Sequence, residues 1–298
     1  MLMDSLDSIL KQTYTDFEVI ILDDGSKDDT ETRVKELKDS RIKYIKLEKT
    51  NNISKLRNYG IEQARGQYIA FCDDDDLWFY DKLNIQLEML KYFDIVCSNA
   101  EIINFYGKSK NELLFNELIN NVVLKTKHLL FRNYIITSSV LLNRKILGKN
   151  PFNYTVYKNT SEDYDLWLRL SLNYKIGYIG KCLIKYRVHS SLTSRSDNLP
   201  KLYRNSIYLI NKYLKNVSGI DKNIGTYSKN QIRFSYIKLL LSNYNFFGAF
   251  TNVLKIMWDL KYFGFVKLLI YRFIYPRKSI EELFLEGFKN NEYSIRLD

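Results

Sequence analysis

The chain has 298 residues, of which 46% are hydrophobic and 27% are charged, and it contains 12 Gly and 3 Pro. This composition is that of a folded globular protein, and it excludes a disordered, fibrous or linker-rich chain. The 45 basic and 34 acidic residues give a formal charge of +11, which suggests an anionic partner: nucleic acid, a membrane surface or a phosphorylated substrate.

The predicted elements of the first two thirds alternate between helix and strand. Helices are predicted over Leu2–Lys11, Thr30–Lys38 and Ile53–Arg65, and strands over Val19–Leu22, Ile42–Leu47 and Tyr68–Cys72. This order predicts an α/β fold, Rossmann-like, with a mixed and mainly parallel sheet covered by helices on both faces. In such folds ligands bind at the carboxyl ends of the strands. Two of the strands predicted here are followed by acidic turns at that end.

The first of these turns is Asp23-Asp24-Gly25-Ser26, and the second is the run of four aspartates Asp73–Asp76, called here the acidic loop. Adjacent like charges repel unless a cation or solvent offsets them. Mg²⁺ and Mn²⁺ prefer oxygen ligands and are often held by one or two carboxylates together with substrate phosphates. The acidic loop therefore predicts a divalent-cation site. The alternatives are a solvated loop, or a cap for the helix expected near Tyr80.

The charge is unevenly divided along the chain. Residues 1–197 carry 29 basic and 27 acidic side chains, whereas residues 198–298 carry 16 and 7. Because Pro200 is the only proline near this change, we predict a catalytic domain over residues 1–197 and a basic, aromatic-rich helical region over residues 198–298. No zinc finger or RNA-binding signature supports nucleic acid as the partner of the basic region.

The basic region contains two amphipathic helical patterns, Ala249–Trp258 and Tyr262–Ile274. Either both pack against the catalytic domain, or the second lies in the bilayer interface, with basic residues near anionic headgroups, namely Lys261, Lys267 and Arg272. The longest uncharged stretch, residues 239–254, contains five polar residues, so we expect any membrane contact to be peripheral.

The N-terminus and the cysteines predict a cytoplasmic protein, with peripheral contact to the inner face of the membrane as an option. Asp4 and Asp7 stand where a secretory signal requires positive charge followed by an apolar run. The three cysteines have no metal-ligand spacing, which favours reduced thiols in an intracellular compartment; they are Cys72, Cys97 and Cys182.

Four segments of residues 1–197 resemble the family 2 glycosyltransferases of the GT-A fold, in that family's order and spacing. They are Asp23-Asp24-Gly25-Ser26-Lys27-Asp28, Leu56-Arg57-Asn58-Tyr59-Gly60-Ile61, Tyr68-Ile69-Ala70-Phe71-Cys72 with the acidic loop, and Ser161-Glu162-Asp163-Tyr164-Asp165-Leu166-Trp167-Leu168-Arg169.

The resemblance implies that Asp23 or Asp24 accepts hydrogen bonds from the base and ribose of a nucleotide, and that Arg57 and Asp74 lie near that nucleotide. Each aspartate of the first turn has a simpler alternative as a turn residue. Arg57 has an alternative as an exposed helix residue.

The resemblance also implies that Asp73 and Asp75 hold Mn²⁺ or Mg²⁺, and that His189 reaches the metal or the diphosphate. The cation would stabilise the charge that grows on the departing nucleoside diphosphate. The alternative for His189 is a surface or capping residue. We expect Arg187, on the strand before it, to point outward.

Asp163 matches the family's catalytic base, so the resemblance implies that it takes the proton of the attacking acceptor hydroxyl. Because Glu162 is adjacent and can raise the proton affinity of either carboxylate, the assignment between the two stays open. The alternative is a helix N-terminus, capped by Ser161, where both acids favour the helix dipole.

The family opens with a strand and a turn that precede the helix starting here at Leu2. That strand lies in the middle of the sheet, so we expect its two neighbours to carry unpaired backbone groups in this chain. We expect the start of the gene to be placed too late, with a substitute segment or a decayed copy as the alternatives.

Together these features predict a divalent-metal-dependent, inverting glycosyltransferase. Its donor is a nucleotide sugar, with a UDP-sugar expected, and its acceptor is a glycan or a lipid-linked sugar. An inactive sugar-nucleotide-binding or scaffold protein and a nucleotidyltransferase are the alternatives.

Overall fold

The computed structural model describes residues 1–116, 118, 120–154, 160–188, 199–215, 228–230, 232–233, 236 and 246–259. The chain divides into two compact units. The α/β unit comprises Met1–Lys125 and Tyr134–Ser190, and the helical unit comprises Thr126–Asn133 and Ser191–Asp298. The boundary near residue 198 stays a prediction.

The α/β unit begins with alternating helices and strands. These are α1 (Leu2–Leu10), β1 (Val19–Asp23), α2 (Thr30–Glu36), β2 (Ile42–Lys46), α3 (Ile53–Gln63), β3 (Tyr68–Ala70), β4 (Leu77–Trp78) and α4 (Lys82–Met89). All six elements predicted over the first 72 residues are therefore present, each starts at the predicted residue, and each ends within two residues of its predicted end.

The second half of the α/β unit is richer in strands. It contains β5 (Ile95–Ile103), β6 (Ser109–Leu113), β7 (Val122–Leu124), the 3₁₀ turn Thr137–Ser139, β8 (Leu141–Asn143), the 3₁₀ turn Arg144–Ile146, α6 (Glu162–Ser171) and β9 (Ile176–Arg187). The helical unit contains α5 (Thr126–Phe131), α7 (Leu199–Leu214) and α8 (Phe246–Asp259).

The strands form two sheets. Strands β1 and β2 pair in parallel, and the larger sheet has the order β3-β8-β5-β9-β4, with β6 on β5 and β7 on β9. The sheet is mixed, as predicted: in the described part of the chain the ladders β1–β2 and β5–β9 are parallel, and the other ladders are antiparallel. The connection from β5 to β6 is too short for a parallel crossover, and a hairpin forms instead. Within the described residues, β1 pairs only with β2 and β3 only with β8.

Two apolar clusters hold the helices on the sheets. On the larger sheet, α1 and α4 contribute Ile9 and Leu83, which pack with strand residues that are also buried, namely Trp78, Ala100, Leu141 and Ile184. On the smaller sheet, Leu6 of α1 and Val34 of α2 pack against Ile21. Since α1 contributes to both clusters, its two apolar residues fix the position of β1, and with it Asp23, next to the larger sheet.

The helical unit is held by apolar and polar contacts. Leu209, Ile210 and Tyr213 of α7 are buried, and the Tyr203 hydroxyl lies 2.7 Å from Asn252 Oδ1 of α8. The pattern predicted over residues 249–258 is helical in α8, whereas Tyr262–Ile274 and its basic residues lie outside the described residues. In the described part of the chain, none of the helices combines the length and the hydropathy that a membrane crossing requires.

Candidate active site

The acidic turn after β1 is tightly organised by its own carboxylates. Asp23, which is 5% exposed, accepts hydrogen bonds from the Ser26 amide at 2.7 Å and from the Tyr44 hydroxyl. Burial alone raises the pKa of Asp23, but these two hydrogen bonds outweigh it and hold the pKa below its ordinary value. Asp23 is therefore an anion at neutral pH, fixed at the carboxyl end of its strand.

The neighbouring Asp24 binds the loop before α3. Its two oxygens accept from the amides of Thr50 at 2.6 Å and Asn51 at 2.8 Å. Despite partial burial, these bonds also lower its pKa. Each carboxylate oxygen has further lone pairs, so both aspartates keep acceptor capacity for the nucleoside contacts that the resemblance implies.

Arg57 of α3 is not the exposed helix residue of the alternative interpretation, because its side chain is 12% exposed. Its guanidinium donates from Nη2 to Asp73 Oδ1 at 2.9 Å and from Nη1 to Glu162 Oε1 at 3.1 Å. It also lies over the Phe152 ring, 5.3 Å from the centroid. These carboxylates keep the pKa of Arg57 raised even though burial acts to lower it. One cation thus joins the acidic loop to the start of α6.

The acidic loop does not present its four carboxylates equally. Asp74 is exposed, Asp73 and Asp75 are half-buried, and Asp76 is 1% exposed. Desolvation and the charges of Asp75 and Asp73 raise the pKa of Asp74. Burial, together with the charge of Asp73, raises the pKa of Asp76 to about 7. Asp76 is therefore an internal residue, and the other three aspartates face the solvent side of the loop.

Arg187, at the end of β9, holds the acidic loop from inside. It is 2% exposed, so the expectation that it points outward is wrong. Its Nε donates to the Asp75 carbonyl at 2.7 Å, its Nη1 donates to the Phe105 carbonyl at 2.7 Å, and its amide donates to Asp76 Oδ1 at 3.0 Å. Strand β9 is interior to the sheet, where both faces are covered and simple alternation does not decide exposure.

The first turn of α6 carries Glu162 and Asp163. Ser161 does not cap this helix as expected: it has φ 67°, in the left-handed region, and its hydroxyl makes no capping bond. Glu162 is 6% exposed, and among the described residues its Oε2 has no hydrogen-bond partner. Burial and the charge of Asp163 raise the pKa of Glu162 to about 7, although Arg57 opposes this.

Asp163 is held by two donors. The Tyr164 amide lies 2.7 Å from Oδ1, and the Thr137 hydroxyl donates to Oδ2 at 3.2 Å. Burial raises the pKa of Asp163 above its ordinary value, against the effect of Arg57 and of these hydrogen bonds. A fixed carboxylate with raised proton affinity suits a group that accepts a proton during a reaction.

The 3₁₀ turn Thr137–Ser139 connects Asp163 to the acidic loop. While Thr137 binds Asp163, the Ser138 hydroxyl accepts from the Asp73 amide at 3.0 Å, and the Ser138 carbonyl accepts from the Trp78 indole at 3.1 Å. Sequence reasoning missed Thr137, Ser138 and the inward role of Arg187. No local pattern marks them, because their partners are 26 to 112 positions away in the chain.

The acidic loop fits a hard divalent cation. Asp73 and Asp75 offer carboxylate oxygens from half-buried positions, and a cation such as Mg²⁺ needs only one or two such ligands when phosphate oxygens and water complete its shell. Among the described residues, no three His, Cys, Asp or Glu side chains converge closely enough to hold a metal by themselves. His189, predicted as a further ligand, lies outside the described residues.

Comparisons with known proteins place this chain in a family. The model of glycosyl transferase family 2 matches residues 1–149. Two Escherichia coli proteins named UDP-Glc:alpha-D-GlcNAc-diphosphoundecaprenol beta-1,3-glucosyltransferase are similar to the chain. WfgD is 35% identical over 210 residues, which cover 67% of this chain and 76% of WfgD. WfaP is 32% identical over 203 residues, which cover 68% of this chain and 77% of WfaP.

An uncharacterized glycosyltransferase of Rickettsia bellii is longer, and the chain spans 31% of its length. The crystal structure of S. aureus TarS 1-349 in complex with UDP superposes with a TM-score of 0.58 and 18% identity, over 78% of this chain and 66% of that chain. This likeness shows the fold. The chain therefore belongs to glycosyl transferase family 2, and its α/β unit has the GT-A fold.

Proposed function

We propose that the protein transfers a sugar from a UDP-sugar to a lipid-linked sugar acceptor, with inversion at the anomeric carbon and with the help of a divalent cation. The observation that carries this proposal is the position of Arg57. By pairing with Asp73 and Glu162, it brings the acidic loop and the first turn of α6 into one site. Such a site holds a donor diphosphate and a proton acceptor together.

Asp163 is the general base of this proposal. An acceptor hydroxyl that attacks the anomeric carbon loses its proton as the new bond forms, and a carboxylate whose pKa is raised by burial is a better acceptor for that proton. Attack from the side opposite the departing diphosphate gives inversion. Thr137 and the Tyr164 amide orient the carboxylate. Glu162 is the less suitable base, because it forms an ion pair with Arg57 and is 6% exposed, whereas Asp163 is half-buried.

The donor binds, in this proposal, across the ends of β1 and β3. Asp23 and Asp24 accept from the nucleoside, and Asp74 lies on the exposed edge of the acidic loop, beside the nucleotide. Asp73 and Asp75 hold Mn²⁺ or Mg²⁺, with His189 as a further ligand. The cation, when bound, offsets the charge that develops on the leaving diphosphate. Arg57 pairs with Asp73 and limits its movement.

The acceptor class rests on the relatives. WfgD and WfaP are named for the transfer of glucose from UDP-Glc to a GlcNAc-diphosphoundecaprenol. We propose an acceptor of the same chemical class, a sugar joined by a diphosphate to a long lipid, used at the inner face of the cytoplasmic membrane.

The test is a coupled assay on the full chain with Mn²⁺, a panel of UDP-sugars and a synthetic GlcNAc-diphospholipid. We expect release of UDP only with acceptor present, and loss of turnover in Asp163→Asn and Asp75→Asn. The matched control is Asp39→Asn, since Asp39 forms an ion pair with Arg41 outside the site. A control that falls as far as the two site variants would contradict the assignment.

The same assay separates the alternatives. A protein that binds a UDP-sugar with micromolar affinity but releases no UDP from any donor is a binding or scaffold protein. Release of pyrophosphate from a nucleoside triphosphate identifies a nucleotidyltransferase. Either result refutes the proposed transfer reaction.

A further inference from the structure

The turn between β5 and β6 exposes two neighbouring aromatic side chains. This segment, residues 104–108, is called here the aromatic tip. Phe105 is 52% exposed and Tyr106 is 87% exposed, and their rings meet edge to face with centroids 5.3 Å apart. Two large apolar rings side by side in water are unfavourable unless something covers them in use.

The backbone of the aromatic tip is well fixed. The Asn104 side chain accepts from the amides of Tyr106 and Lys108, both at 3.0 Å, and the Asn104 amide donates to the Lys108 carbonyl at 2.9 Å. Gly107 has φ 80°, a conformation that glycine adopts without strain. The turn therefore presents both rings outward from a rigid support.

The charged residues near the aromatic tip indicate which kind of surface it binds. Lys108 and Lys110 are exposed on the strand side of the tip, and Glu112 follows further along β6. Aromatic rings with a polar group, together with lysines, are the residues that bind at the interface of a bilayer with anionic lipids.

The aromatic tip is coupled to the candidate active site by Arg187. The same guanidinium binds the Phe105 carbonyl and the Asp75 carbonyl, each at 2.7 Å. The tip and the acidic loop are therefore fixed to one buried side chain. A surface that receives the tip lies close to the acidic loop.

We infer that the aromatic tip docks on the surface of a bilayer that contains anionic lipids, with Phe105 and Tyr106 in the interface and Lys108 and Lys110 at the headgroups. The purpose of this docking rests on the proposed function. Docking would bring the acidic loop to the depth at which a lipid-linked diphosphate acceptor presents its sugar. The docking does not depend on turnover, so it is measured in the absence of donor and acceptor.

The test attaches an environment-sensitive fluorophore to the full chain through Tyr106→Cys, in a background in which Cys182 is replaced by Ser. The other two cysteines can stay, because Cys97 is buried and burial raises the pKa of the Cys72 thiol, so neither competes for the label. The matched control is the label at Tyr92→Cys. Tyr92 is 64% exposed and lies before the start of β5, whereas the aromatic tip lies after its end. The length of the strand therefore separates the two labels by roughly 25 Å.

With vesicles of phosphatidylcholine and phosphatidylglycerol, we expect the label at position 106 to brighten and shift to the blue, while the label at position 92 stays unchanged. Replacing Lys108 and Lys110 by Ala should weaken the lipid affinity reported at position 106 about fivefold per lysine. A response equal at both positions, or absent from both, overturns the inference.

A second measurement separates docking from sugar binding. Phe105→Ser/Tyr106→Ser should slow turnover of an acceptor embedded in vesicles and leave turnover of a short-chain, water-soluble acceptor unchanged. Equal losses with both acceptors show that the tip contacts the saccharide, which also overturns the inference. If no donor turns over at all, the proposed function fails while the fluorescence result still decides the docking.

Discussion

Replacing Arg57 by Met removes the cation that pairs with both Asp73 and Glu162, and it keeps most of the side-chain volume. Removing one partner of a buried ion pair typically costs about 3–5 kcal/mol, because the other charge is left uncompensated. Asp73 is 39% exposed, so solvent screens part of its loss, whereas Glu162 is 8% exposed. We therefore expect Arg57→Met to lower the free energy of unfolding by about 3 kcal/mol at pH 8.

The loss should depend on pH in a direction set by Glu162. Its pKa is about 7 in the folded protein against 4.5 in the unfolded chain, so the folded state binds more protons between these values. Stability then falls as the pH rises from about 4.5 through 7. Without Arg57 the pKa of Glu162 rises further, and the fall continues above pH 7. The deficit of Arg57→Met is accordingly smaller at pH 6, where Glu162 is protonated, than at pH 8.

Urea unfolding followed by tryptophan fluorescence measures this effect. At about 2 kcal/mol per M, a loss of 3 kcal/mol moves the midpoint by about 1.5 M. The control is Arg65→Met, because Arg65 is 86% exposed in its pair with Glu18. Its replacement should lower the free energy of unfolding by at most about 0.5 kcal/mol. Equal midpoints for the two variants, or a deficit that is the same at pH 6 and pH 8, would refute the reasoning.

Three further predictions concern the reaction and the core. Asp163→Asn should lower kcat by about 10²–10⁴-fold with little change in the KM for the donor, measured by UDP release; a large change in KM alone would contradict a role as base. Chelation of divalent cations should abolish turnover, and Mn²⁺ or Mg²⁺ should restore it; full activity in excess chelator would exclude the metal role of Asp73 and Asp75. Burial lowers the pKa of Lys82 to about 7, so the folded state binds fewer protons than the unfolded chain between pH 7 and 10.5, and stability should rise over that range. Lys82→Met should accordingly stabilise the protein at pH 7 by about 2 kcal/mol after the lost bond to Gln86 is deducted, and this gain should be lost by pH 10; an advantage independent of pH would contradict this account.

Much of the α/β unit could be predicted because its signals are local. Apolar periodicity and the acidic turns placed the first six elements, and they placed Asp23 and the acidic loop at strand ends. The pairing of strands was less accessible. Whether a strand runs parallel or antiparallel depends on partners that are distant in the chain, and the short elements after β3 carry no signal for those partners.

The candidate site divides in the same way. The acidic loop was predicted as a cation site from residue type and position, whereas Arg57 and Asp163 were predicted from the resemblance to the family. Their electrostatic state was not, because it follows from burial and from which charges meet: Arg57 reaches across 16 and 105 positions to its two partners. The side-chain cap at Ser161, which was the alternative interpretation of this segment, is not formed, and the residue has a left-handed conformation.

The sequence by itself determined where the acidic residues of the candidate site lie along the elements, since carboxylates at strand ends and an acidic pair opening a helix are local patterns. Only the tertiary structure decided that Arg187 faces inward and binds the backbone of both the acidic loop and the aromatic tip. The physical reason is that a buried guanidinium must find acceptors wherever the fold supplies them. Carbonyl groups are present at every residue, so no residue pattern announces which of them a buried arginine will bind.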